Sequence, residues 1–199
     1  MKPIAIALTG ASGMPYALTL LKELVKTQDK IYVMISAAAN TVIAMETDLK
    51  LGADTNAIEK NLSQYLGVKE GQIEVFSKNQ WTAPVASGSN PPRALVVCPC
   101  TMSTLSAIAH GHADNLMHRA ADVVIKEQKK LILVPRETPY SAIHLENMLK
   151  LSRLGVVIMD ANPAFYQNPN CIQDLVNFVV ARILDHLDVK HNLAPPWQG

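Results

Sequence analysis

The sequence has almost no excess of charge of either sign. Its 199 residues hold 18 lysines and arginines against 17 aspartates and glutamates, a net of +1. That balance removes any general reason for a nucleic-acid or membrane-surface partner, so an anion site has to be local. Cysteine is scarce as well. Cys98, Cys100 and Cys171 are too few for a disulfide framework, and Cys98-Pro99-Cys100 lacks the two-residue gap of redox and zinc motifs. A reducing, cytoplasmic setting is therefore expected. No apolar run approaches the roughly 18 residues that a membrane helix needs. The apolar stretch 3–8 behind Lys2 is short for a signal peptide and reads better as a buried first strand.

Apolar residues make up 49% of the chain, enough for one sizeable core at this length. Strand-length apolar runs at 3–8, 31–35, 73–76, 94–98, 131–134 and 156–159 alternate with segments of helical period. The expectation is a single α/β domain over 1–199. It is a three-layer, Rossmann-like or flavodoxin-like parallel sheet with helices on both faces, and a tail from about 188 that includes Trp197. The first helix begins after Gly13, with Met14, Ala17, Leu18, Leu21, Leu24 and Val25 inward and Tyr16, Thr19, Lys22, Glu23 and Lys26 outward. A second covers 38–46 and ends at Glu46. Thr138 before Pro139 predicts a helix over 139–154, and Asn170 with Gln173 predicts one over 171–187. Two long loops remain: 77–92, holding Trp81, and 162–169, holding Phe165 and Tyr166.

Ligands of open parallel sheets bind outside the carboxyl ends of the strands, so the residues just after each strand matter most. Thr9-Gly10-Ala11-Ser12-Gly13 follows the first, with glycines for close approach and a following helix that offers N–H groups to a phosphate. Ser36 follows the second. Cys98-Pro99-Cys100-Thr101-Met102-Ser103-Thr104 follows the fourth, and Arg136-Glu137 the fifth. Met14 breaks the G-x-G-x-x-G spacing and Ser36 stands where a dinucleotide fold has an acid, which favours a mononucleotide.

Arg119, Asp122 and Lys126 share one helix face by spacing, a pattern that a solvated salt-bridged surface produces equally well. His110, His112 and His118 match no ligand spacing, so no metal is expected. Cys98 falls in a predicted buried strand, where a thiol is more often packing than nucleophile.

Taken together, Gly10-Ala11-Ser12-Gly13, Ser36, Met45-Glu46-Thr47-Asp48, Trp81 with Ala86-Ser87-Gly88-Ser89, Cys98-Pro99-Cys100, Val134-Pro135-Arg136-Glu137-Thr138-Pro139 and His144-Leu145-Glu146-Asn147-Met148 resemble the UbiX flavin prenyltransferases. The resemblance implies alkylation of reduced FMN, at N5 and then C6, by the dimethylallyl group of dimethylallyl phosphate. The product would be prenylated FMN for UbiD-type decarboxylases, in ubiquinone biosynthesis or aromatic acid decarboxylation. It places FMN contacts on Gly10, Ala11, Ser12, Ser36, Thr101, Met102, Ser103, Thr104 and Arg136, and prenyl-phosphate contacts on Tyr166, Arg182, Lys126 and Arg119. Glu137 would protonate the leaving phosphate, Lys126 and Arg182 would stabilise its charge, Glu46 with Ser12 would take the ring proton, and Trp81 would shield the allyl cation. Met102 departs from the family's hydroxyl-rich turn, so its contact is through backbone. A homo-oligomer, commonly a dodecamer, is implied too. The rivals are an FMN-dependent decarboxylase, for which no histidine accompanies residues 84–90, and a non-catalytic flavin carrier, which needs no second phosphate site.

Overall fold

The computed structural model describes residues 2–195, so Trp197 lies outside the described residues. Six parallel strands, β1 (Ile4–Leu8), β2 (Ile31–Ile35), β3 (Ile73–Phe76), β4 (Ala94–Cys100), β5 (Lys130–Pro135) and β6 (Val157–Ile158), form one sheet in the order β3-β2-β1-β4-β5-β6. Of the two doubly wound orders, this is the Rossmann one, with its reversal between β1 and β4. The strands are buried on both faces because right-handed crossovers put a helix layer on each side. Ile4, Ile6 and Leu8 meet α1 (Met14–Leu24), α2 (Ala37–Glu46), α3 (Thr55–Leu66) and α7 (Ile172–His186). Ala5 and Ala7 face the other way, toward α4 (Met102–Ala109), α5 (Leu116–Lys126) and α6 (Ala142–Arg153).

The six expected strands are all present, with β4 running two residues further because Cys100 pairs with Pro135 after a register shift. On α1, Tyr16 is half-buried rather than outward and packs on the core. α3 carries just two buried apolar residues, Ile58 and Leu62, too little periodicity to be read beforehand.

Two predicted caps are corrected. Thr138-Pro139 does not start a helix: Ser141 caps α6 and His144 returns the bond to the Ser141 N–H, a reciprocal pairing that Thr138 lacks. At α7 the capping acceptor is Asp174, taking the Asn170 and Cys171 N–H groups at 2.8 and 3.2 Å, while Gln173 turns to Asn177. A carboxylate outcompetes a neutral amide at a positive helix end. Along α7 the expected Val179, Ile183 and Leu187 are buried and are joined by Val176, Val180 and Leu184, while Leu175 is half-buried. The tail docks as far as it is described: Val189 is buried and Gln167 Nε2 donates to the Pro195 carbonyl at 3.1 Å.

Across the reversal, β1 and β4 are tied by buried Thr9. Its hydroxyl donates to the Pro99 carbonyl and accepts from the Thr101 N–H, both at 2.8 Å. Thr9→Val fills the same space but leaves the Thr101 N–H without its acceptor and the Pro99 carbonyl with its 3.3 Å backbone bond alone, so unfolding free energy should fall by about 1–3 kcal/mol in urea titration.

Candidate flavin and prenyl-phosphate site

Four loops converge outside the carboxyl ends of β1, β2, β4 and β5. Gly10 passes so close to α2 that a β-carbon on it would sit 2.5 Å from Ala38 Cβ, so this turn has room for glycine alone. Ser36 caps α2 by accepting from Ala39 N at 3.0 Å, and Thr101 caps α4 by accepting from Thr104 N at 3.3 Å. The Thr101 hydroxyl also lies 3.1 Å from Ser103 Oγ and 3.0 Å from Thr104 Oγ1. Thr104 is buried, Ser103 exposed and Met102 half-exposed, so Ser103 presents the outermost hydroxyl of this turn.

The start of α1 behaves differently from the expectation. Its Gly13 and Met14 N–H groups do not wait for a phosphate, because Glu46 Oε2 accepts from both, at 2.9 and 2.8 Å. Gly13 sits at φ 119°, where it has no side chain to cap the helix, and the last residue of α2 supplies the acceptor instead. Ser12, exposed, donates to the same carboxylate, and Arg136 Nε donates to the Ser12 carbonyl at 3.3 Å. Partial burial works to raise the Glu46 pKa. The Ser12 hydroxyl, the two N–H groups and the Arg136 charge outweigh it and hold the carboxyl below its ordinary 4.5. Glu46 is thus ionised at neutral pH, the form that accepts a proton, but it is a weak base.

Glu137 follows Arg136 on the same rim, half-exposed, with Oε1 accepting from Thr138 N at 3.3 Å. Its segment is pinned by Tyr140, whose hydroxyl donates to Asp160 Oδ1 at 2.6 Å. Burial first, then the Asp160 hydrogen bond and the Asp160 and Glu137 charges, push the Tyr140 phenol well up and keep it a donor. Asp160 also takes Ala161 N at 3.0 Å and Asn162 Nδ2 at 2.7 Å, anchoring the loop that carries Tyr166. No sequence signal pairs Tyr140 with Asp160, since twenty residues separate them.

The cations assigned to the second phosphate are not on this rim. Lys126 closes α5 four residues before Lys130, the first residue of β5, and so lies at the amino end of the sheet. Glu137 follows the other end of β5, six residues or ~20 Å of strand away. Arg119, on the same helix, donates from Nε to the Ala86 carbonyl at 3.1 Å and from Nη1 to Asp122 Oδ2 at 2.5 Å. Beside it, Ser87 Oγ lies 2.8 Å from Ser89 Oγ. Trp81, on the same 77–92 loop, is 49% exposed, a large ring only half covered by its own chain.

Arg182 forms a third group. It is exposed, pairs with Asp185 at 2.6 Å, and lies one turn before His186, whose carbonyl accepts from Lys130 Nζ at the amino end of β5. With Tyr166 it borders a cavity of about 780 Å³ that contains no residue of the rim. The Tyr166 ring stands edge-on to Phe178, centroids 5.9 Å apart. A separate cavity of about 690 Å³ opens at Ser36, bordered by Asn40, Lys50, Phe76 and Lys78.

The remaining candidates sort simply. Cys98 and Cys100 are buried and burial pushes both thiols up, which keeps them protonated and unreactive. His118 Nδ1 lies 2.6 Å from Asp114, and His110 Nδ1 2.8 Å from the Ser106 carbonyl. Among the described residues no cluster of three metal-ligating side chains occurs and no helix is long and apolar enough to cross a membrane.

A Rossmann-ordered sheet with a glycine turn, two hydroxyl-capped helix starts and an arginine at its reversal is a mononucleotide-binding architecture, and the sequence pattern of the Flavoprotein family matches residues 1–184. A flavin prenyltransferase UbiX from Pseudomonas aeruginosa is 53% identical over 194 residues, 98% of this chain and 93% of that one. A dodecameric FMN-dependent UbiX-like decarboxylase from Escherichia coli O157:H7 shares the fold at TM-score 0.88 and 39% identity, over 99% of this chain and 100% of that one. AnUbiX (PadA1), solved in complex with FMN and dimethylallyl pyrophosphate, gives 0.88 and 37% over 100% and 98%. The chain belongs to the UbiX flavin prenyltransferase family.

The Glu46 environment has a consequence for acid stability. A carboxyl whose folded pKa is depressed stabilises the fold above its unfolded value, and that stabilisation disappears as pH falls through the folded value. Glu46→Gln should therefore destabilise at pH 7 and cease to differ from wild type as pH drops from 4.5 toward and below the folded pKa. Thermal melts across pH 3–7 check this; a constant difference over that range would overturn it.

Proposed function

We propose that the protein transfers the dimethylallyl group of dimethylallyl phosphate to N5 and C6 of reduced FMN, releasing phosphate and giving prenylated FMN. The observation that carries this reading is that a second set of cations, Lys126 at the amino end of the sheet and Arg182 beside a separate cavity, stands apart from the nucleotide rim in a chain of this family. A carrier or a redox flavoprotein has no use for the second.

The rim fits FMN. The Gly10 turn packs directly on Ala38 of α2, and Ser36, Thr101, Ser103 and Arg136 bring hydroxyls and a cation to one edge. These residues would hold the phosphate and ribityl chain, and bound reduced FMN supplies the nucleophilic ring. The chain's own groups do the rest. Lys126, Arg119 and Arg182 draw off the charge that builds on the departing phosphate oxygen, while Glu137 delivers a proton to it. Glu46, kept ionised by Ser12, receives the proton that the ring loses when its carbon–carbon bond forms. Trp81 covers the allyl group against water.

Because Lys126 and Glu137 lie at opposite ends of β5, one chain cannot close this site alone. The site is completed where the rim of one protomer meets the amino ends of others in a homo-oligomer, and the dodecameric state of the Escherichia coli relative supports that arrangement. The product passes to a UbiD-type decarboxylase, a hand-over that the family relationship supports. The protein works in the cytoplasm, in keeping with buried thiols that need no oxidising compartment.

Incubation with reduced FMN and dimethylallyl phosphate, followed by mass analysis of the extracted flavin, tests the reaction; recovery of unmodified FMN would sink it. Glu137→Gln should retain flavin and slow the single-turnover rate about 10²–10⁴-fold. Arg182→Ala is the sharper probe of the second site. As an exposed partner of Asp185 it should cost at most about 1 kcal/mol of stability. As a phosphate ligand its loss should raise the half-saturating dimethylallyl phosphate concentration about tenfold, equivalent to about 1.4 kcal/mol. An unchanged value returns Arg182 to the surface.

A further inference from the structure

Each cation that α5 turns toward residues 86–89 already has an acid of its own. Arg119 is paired with Asp122 and Lys126 with Glu127, so this cluster of two cations and two carboxylates carries no net charge. The Lys126–Glu127 pair is pressed against Gly88. A β-carbon at that position would collide with Glu127 Oε1 and meet Lys126 Nζ at 2.5 Å. The glycine thus leaves the ammonium, the carboxylate and the flanking Ser87 and Ser89 hydroxyls in one small space. None of the catalytic roles above employs Glu127.

We propose that Glu127 is a specificity-determining residue of the prenyl-phosphate site, a resident carboxylate that holds Lys126 until the substrate displaces it and then sets how much anionic charge the site accepts. This rests on the reading that Lys126 and Arg119 hold the prenyl phosphate. Displacement is cheap, because the lysine and glutamate side chains are 46% and 34% exposed and such pairs contribute about 0–1 kcal/mol. The charge of Glu127 does not leave with the broken pair, since it belongs to the residue next to Lys126. A monophosphate bound to Lys126 faces the adjacent Glu127 carboxylate. A diphosphate brings further negative charge to the same place and meets a larger repulsion. Glu127 therefore discriminates by repulsion, favouring dimethylallyl phosphate over its diphosphate and easing the departure of the phosphate product.

The test uses the full-length, FMN-loaded protein with inorganic phosphate and inorganic pyrophosphate as competitors of dimethylallyl phosphate. Glu127→Gln should lower both inhibition constants, that of pyrophosphate at least tenfold and by a clearly larger factor than that of phosphate, with FMN affinity unchanged. Glu127→Asp, which keeps the charge, should retain the wild-type ratio of the two constants. A ratio unaltered by Glu127→Gln, or one altered equally by Glu127→Asp, overturns the proposal. Lys126→Ala separates the two levels of failure. If it leaves phosphate inhibition untouched, the second phosphate site is misplaced; if it abolishes inhibition while Glu127→Gln behaves as wild type, the site stands and Glu127 has no part in selectivity.

Discussion

The acceptance of two α1 amides by Glu46 fixes the edge on which the candidate site is built. Helix α1 starts at a glycine with positive φ, so its first N–H groups need an acceptor from elsewhere, and the end of α2 provides it. That single carboxylate couples the turn after β1 to the helix after β2. With the Gly10–Ala38 contact it forces the two loops into one rigid edge. It also removes the most obvious phosphate ligand of a doubly wound fold, the start of α1. The starts of α2 and α4, with Arg136, remain on that rim. A glycine-rich first turn thus serves close packing more than phosphate contact.

How much was legible beforehand follows from which signals are local. The parallel sheet was readable because each strand is a short apolar run between helical segments, and β-branched residues buried on both faces leave little ambiguity. α3 was not, because Ile58 and Leu62 alone make no stripe. The caps at Thr138 and Asn170 were misplaced by one to three residues, since several side chains compete at a helix start and the best-placed or charged acceptor wins. In the site, residue types at strand ends were visible one by one. The Glu46 bonds and the Tyr140–Asp160 tether were not, because they join segments more than a dozen residues apart with no pattern between them.

The division of the site between the two ends of the sheet has a topological cause. In a βαβ unit the helix returns the chain to the amino end, so a residue in the last turn of α5 is carried a full strand length from the residue after β5. A reaction that needs an acid from one end and a cation from the other is beyond a single copy of the fold. On the proposed roles of Lys126 and Glu137, assembly is then a condition of catalysis.

A chain of net +1 that must bind two phosphate esters has no bulk charge to spare, and here the α5 cations and Arg182 each hold a neighbouring acid in reserve. Exposed pairs of this kind contribute little to stability, so they are not what keeps the fold together. Their effect is to keep the separate chain from displaying an unpaired cationic patch, while leaving each cation exchangeable for a phosphate oxygen. Once protomers enclose the same groups and exclude water, the local dielectric falls and the same exchange gains in strength. On the proposed roles of these cations, affinity for the prenyl phosphate is in this way a property of the assembled site and not of one chain.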